Sequence, residues 1–239
     1  SKIEINVIIN FILFFMFTRC SKNDLSTDNF EEIETVQEEN QNNSEKKIFN
    51  FDKIECNNGF ANEFPCNKYD LLSWIPLSFF GSESANDNWG WTDSNSKREF
   101  VLQGLNDGLA FLDITDPQKV IYLGKLLSSS NPSDWRDVKI YNNHAFVVSE
   151  ASNHGLQVFN LKRLLDLNEF KMFNEDYIVN DFGNAHNIAI NTSSGFAYIL
   201  GSALYEGGPV FYDISIPEQP ILRGGFSDTS YIHDAQIIT

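Results

Sequence analysis

Apolar positions in this chain come in short bursts, not in helical stripes. From Asn86 onward, runs rich in β-branched and aromatic residues alternate with Gly, Asn, Asp and Pro. "FVLQG" ends at Gly104, "AFVVS" at Ser149 and "AYILG" at Gly201. Such runs, bounded by turn formers, predict β-strands. Each is followed by a second run, "GLAFLDI" from Gly108, "GLQVFNL" from Gly155 and "GPVFYDI" from Gly208. Two of these continue into Asp-Ile-x-x-Pro turns ending at Pro117 and Pro217, and a further apolar run follows, "VIYLGKL" or "PILRGGF". A helix-like insert, "LKRLLDL" from Leu161 to Leu167, interrupts the second unit.

Before each first run stands a polar pair: Asn86-Asp87, Arg136-Asp137, His186-Asn187 and His233-Asp234. The second members are 50, 50 and 47 residues apart. Four short antiparallel strands in a unit of this length predict a blade of a β-propeller. The fold expected is therefore all-β. Blades fall at about 86–135, 136–185 and 186–232, and 233–239 is the first strand of a fourth, so the propeller is expected to be C-terminally incomplete. "KYDLLSWIPL", Lys68 to Leu77, resembles an outer fourth strand and is expected to close a ring.

The flanks differ from the repeats. Lys2 and an apolar run from Val7 to Phe17, too short to span a bilayer, end at Cys20. Residues 1–20 are read as a signal peptide of lipoprotein type with Cys20 as the lipidated residue. An ordinary signal peptide or an uncleaved anchor is the alternative. Ser21 to Asn50 holds eight acidic and three basic residues with few apolar ones, and predicts a flexible, self-repelling tether. Residues 51–85 contain the other two cysteines, Cys56 and Cys66, ten apart. In an exported chain they predict a disulfide closing a short loop.

Several long motifs carry a family resemblance: "FPC" then "YDLLSWIPL", "NDNWGWTD", "WRDVKIYNNHAFVVSEASNHGLQVF", "AHNIAINTSSGFAY" and "HDAQ". From about Cys56 to Gln236 the chain resembles the choice-of-anchor B family, whose units resemble LVIVD repeats. The resemblance implies an exported bacterial protein at the cell envelope or outer surface, attached through its own anchor. It implies no reaction.

Composition narrows the partners. The formal net charge is −16 over 239 residues, which argues against nucleic acid and leaves the lipid anchor as the only membrane contact. In a propeller, the entry to each first strand and the loop between the second and third strands open on one face around a central channel. That rule groups Asp87, Arg136, Asp137, His186, Asn187, His233 and Asp234 with Asp107, Glu150, His154 and Glu206. Carboxylates and imidazoles together suit a divalent metal, calcium or zinc, with His186, His233, Asp137 and Asp234 as ligands. Arg136 would fix an anionic group. The opposing reading is structural: a polar residue at each entry serves backbone amides of the tight loop. Trp89 and Trp91 lie on one side of a strand and suit either sugar stacking or packing between blades. The sequence holds no nucleophile elbow, phosphate loop or zinc-protease helix. The expectation is a surface module that binds or scaffolds an extracellular protein or glycan through the channel face. The alternative is a metal-dependent hydrolase or lyase.

Overall fold

The computed structural model describes residues 45–228 and 230–238. Cys20, the apolar leader and most of the acidic stretch lie outside them. The chain is all-β. In order, its strands are β1 (Lys47–Asn50), β2 (Phe60–Ala61), β3 (Phe64–Pro65), β4 (Ala85–Thr92), β5 (Glu99–Leu105), β6 (Gly108–Asp113), β7 (Lys119–Leu127) and β8 (Arg136–Tyr141). They continue with β9 (His144–Ser149), β10 (Leu156–Asn160), β11 (Lys171–Phe173), β12 (Tyr177–Val179), β13 (Asn187–Asn191), β14 (Phe196–Leu200), β15 (Val210–Asp213) and β16 (Ile221–Gly225). Among the described residues no helix is long and apolar enough to cross a membrane.

Three sheets carry four antiparallel strands each: β4-β5-β6-β7, β8-β9-β10-β12 and β13-β14-β15-β16. The first gains two more strands on its outer edge. β1 pairs antiparallel with β7, and β11 pairs with it in parallel. Gly124 allows the second pairing, because a Cβ there would lie 2.1 Å from the Lys171 carbonyl oxygen.

Apolar cores fill the gaps between sheets. Phe111 of the first sheet stacks on Phe159 of the second at 4.6 Å, with Phe173 edge-on to both. Phe146 and Val148 of the second sheet meet Ile199 and Tyr212 of the third. Alternate residues of β9 thus serve two cores, since Ala145 and Val147 join the first core. That is why these strands read as nearly continuous apolar runs.

The Asp-Ile-x-x-Pro turns are built by their aspartates. Asp113 accepts the Thr115 N–H at 3.0 Å and Asp213 accepts the Ser215 N–H at 3.1 Å. Arg98 and Arg223 close on the same two carboxylates at 2.7 and 2.8 Å. Ser215 and Arg223 hold Asp213 down to about 2. In the second unit Asn160 takes the Lys162 N–H instead and caps a short 3-10 turn, Leu161–Leu164, where the helix-like insert was expected.

Cys56 and Cys66 form the expected disulfide, with Cα atoms 5.9 Å apart. Three local expectations change. Lys68–Leu77 contains no strand; Leu71 makes an isolated bridge to Ile54, and a 3-10 turn follows at Leu77–Phe80. The first sheet gains an outer strand from β1, whose residues lie at the end of the stretch expected to be a tether. Tyr231–Ile238 also forms no strand. Its Ile232 N–H bonds the Gly207 carbonyl of a turn at 3.0 Å, and among the described residues no strand ladder forms along it.

Candidate functional site

The first strands β4, β8 and β13 lie side by side, and each begins near one of the polar pairs. A first strand is the edge of its sheet, so its outward N–H groups need partners. Here the preceding sheet provides them. Asp87 accepts the Val138 N–H at 3.2 Å, and Asp137 accepts the Ile188 N–H at 2.9 Å. Each bond reaches 51 residues along the chain. The two carboxyls also share Lys139, whose ammonium lies 3.1 Å from each. Burial pushes the Asp137 carboxyl up to about 7, and the Asp87 carboxyl beside it adds to the rise. Burial pushes Asp87 the same way, but a hydrogen bond from Asp137, the Val138 N–H and Lys139 outweigh it and hold Asp87 below its ordinary value. The Lys139 ammonium also sits 4.7 Å above the exposed Trp89 ring. Trp91 is buried, stacked on Phe100, and donates to Asn143.

Arg136 and His154 are interior groups, 1% and 0% exposed. Arg136 donates to the Leu105 carbonyl and to Ser128 Oγ, both at 2.9 Å, and faces His154 Nε2 at 3.3 Å. Since a guanidinium can only donate, His154 Nε2 accepts and its proton sits on Nδ1, toward Ser130 Oγ at 2.9 Å. Burial, then the Arg136 charge, drive His154 down to about 3, so it is neutral. Burial lowers Arg136 itself to about 10. Both groups brace the joint between the first two sheets, and neither is open to a ligand. Asp107 is engaged likewise, by the buried Lys125 at 2.7 Å and Ser82 at 2.7 Å.

A different set gathers around His186. Its Nδ1 is hydrogen-bonded to Glu150, which arrives from the loop after β9. The Tyr231 phenol lies beside the same carboxylate, and burial and Glu150 together raise it above its ordinary value. The His233 ring centre lies 3.9 Å from that of His186; Tyr231 and Trp135 follow at 6.0 and 6.4 Å. Trp135 is 54% exposed and Tyr231 53%. Close packing makes this possible: a Cβ on Gly201 would come within 2.8 Å of His186 Cβ and 2.7 Å of the Tyr231 hydroxyl. Gly201 is also left-handed, at φ +66°. Sequence reasoning missed Trp135, Tyr231 and Lys139. The signal available was position, since Trp135 directly precedes Arg136-Asp137 and Tyr231 stands two before His233.

The remaining candidates stand apart. Asn187 is half-buried at the start of β13. Asp234 is exposed and accepts its neighbour's Ala235 N–H. Glu206 is exposed on a turn, Leu204–Gly207, where Tyr205 and Glu206 both take left-handed φ of 55° and 57°. Of the four metal ligands expected, the structure brings His186 and His233 together, while Asp137 is tied to Lys139 and Ile188. Among the described residues no group of three His, Cys, Asp or Glu side chains is arranged to hold a metal ion.

Comparison with protein-family models, with curated proteins and with solved structures gives no match. The functional reading rests on the residues and their geometry.

Proposed function

We propose that this chain is an exported, envelope-anchored module of β-propeller type that binds an extracellular protein or glycan through the face bearing its first strands. Three four-stranded antiparallel sheets, packed first strand to first strand, support the propeller reading. The disulfide supports an oxidising, extracytoplasmic location. The observation that carries the binding reading is a division of labour on this face. Asp87, Asp137, Arg136 and His154 are engaged in joining sheets, whereas Trp135, Tyr231 and His233 stand exposed around the His186–Glu150 pair. Exposed aromatic rings beside oriented polar groups suit a ligand with an apolar face and hydrogen-bonding edges. Of the oxygen ligands a hydrolase or lyase reading would draw on, Asp137 already serves Lys139 and Ile188, and Asp234 is exposed and turned to the Ala235 N–H.

The test is retention of the purified protein on immobilised mucin and on immobilised neutral β-glucan. Retention that Trp135→Ala removes, while Trp89→Ala on the neighbouring strand does not, supports the proposal. Equal behaviour of wild type and Trp135→Ala on both surfaces overturns it.

A further inference from the structure

We propose that His186 and His233 form a two-imidazole site for a borderline divalent transition metal such as zinc or nickel, with Glu150 as the orienting carboxylate. It uses the same exposed cluster as the binding reading and names a ligand for it.

Three observations carry the inference. First, the hydrogen bond between His186 Nδ1 and Glu150 assigns the ring's proton to Nδ1. In the neutral imidazole Nε2 then presents a lone pair. A ligating histidine usually has this arrangement, its second nitrogen donating to a carboxylate that fixes ring and tautomer. Second, a further imidazole is in place, with the His233 ring centre 3.9 Å from that of His186. His233 lies on a segment outside any sheet, so its ring can turn toward a shared ion without breaking strand pairing. Third, Glu150 is itself held. Its carbonyl takes the Asn184 side-chain amide at 3.3 Å, its N–H donates to the Trp135 carbonyl at 3.2 Å, and the Tyr231 phenol lies beside its carboxylate. A backbone fixed at both its N–H and its carbonyl sets where the Glu150 carboxylate meets the imidazole. Two nitrogen donors favour zinc, nickel or copper over calcium, which takes oxygen ligands. Water completes the coordination shell, leaving positions open. The net charge of −16 raises the local concentration of any cation.

The experiment titrates zinc or nickel into the full chain, stripped with chelator, by calorimetry. One ion per chain, binding below about 100 μM, is expected. His233→Ala, an exposed position that leaves the sheets intact, weakens binding at least tenfold, and so does His186→Ala. Glu150→Gln weakens it by about 10–100-fold, the loss usual for an outer-shell partner. Asp137→Asn leaves it unchanged. Absence of saturable binding, or binding that survives His233→Ala, overturns the site. An unchanged affinity in Glu150→Gln overturns the orienting role. Retention on mucin or β-glucan that still depends on Trp135 would show that the metal site alone had failed.

Discussion

The outward faces of the first and third sheets are made from the same kind of strand, yet they end differently. On the first, Ile75, Leu77, Phe79 and Phe80 fold back over Leu112, Val120 and Tyr122. The Tyr122 ring meets Phe80 at 5.2 Å and Phe170 at 4.9 Å, both edge-on, and a groove of about 320 Å³, lined also by Ser73 and Val101, runs along this cover. On the third, Tyr198 and Phe211 pair edge-on at 5.6 Å and stay partly open. Ile216, Ile221, Leu222 and Phe226 nearby are exposed. An open row of sheets that buries both faces of each inner sheet leaves two ends. What covers an end comes from outside the repeat, as residues 75–80 do here.

Truncation is the hardest way to break this comparison. Tyr122→Ala should cost about 3–5 kcal/mol, because the ring is surrounded and its loss leaves a cavity. Phe211→Ala, on the uncovered face, should cost about 1 kcal/mol or less. Urea unfolding of both variants checks the pair, and equal losses would mean that the third face is covered in solution.

The joints between sheets offer a sharper test by pH. Asp137 binds its proton at about 7 in the folded chain and near 3.8 when unfolded. The folded state therefore holds the extra proton between those values, and the stability it confers is lost as pH rises through 7. In Asp137→Asn the amide oxygen can still accept the Ile188 N–H without titrating. The wild type should lose about 1–2 kcal/mol relative to this variant between pH 5 and 8. His154 acts in the opposite sense: with its folded value near 3, stability falls as pH drops below about 6.5. Urea midpoints at pH 5 and 8 separate the two groups.

The smallest effect concerns association. Leu222→Lys removes an exposed apolar side chain from the open face and should leave stability within about 0.5 kcal/mol. Light scattering should show reduced self-association, as expected for an uncovered sheet face. No change at all would argue that this face does not drive contacts.

These contrasts also mark what the sequence could reveal. Strands such as "AFVVS" and "AYILG" were legible because their β-branched runs are long and bounded by turns. The Asp113 and Asp213 turns were legible because an aspartate two residues before Thr or Ser bonds locally. The cysteine pair was legible from its spacing. β1, β11 and β12 were not, since "KIFN", "KMF" and "YIV" become strands only through partners distant in the chain. Lys68–Leu77 has a strand-like composition but interrupts it with Pro76. At the site, register placed Arg136 and Asp137 in one group, yet neighbours on a strand point to opposite faces. Arg136 turned inward to the Leu105 carbonyl, and Asp137 turned to the next sheet. Trp135 and Tyr231 do not recur from unit to unit, so only their position beside the polar pairs could mark them.

The inter-sheet bond from Asp87 to Val138, repeated from Asp137 to Ile188, gives the stack a direction. The acceptor always belongs to the earlier sheet and the donor to the later one. Sheets joined this way can add in only one sense, like hooks that all face forward. The third sheet has Asn187 where the others have aspartate. An amide accepts an N–H as an aspartate does, but it has no proton to lose and attracts no lysine. A joint made through Asn187 would hold equally at pH 5 and pH 8, while the Asp137 joint before it responds to the shift between.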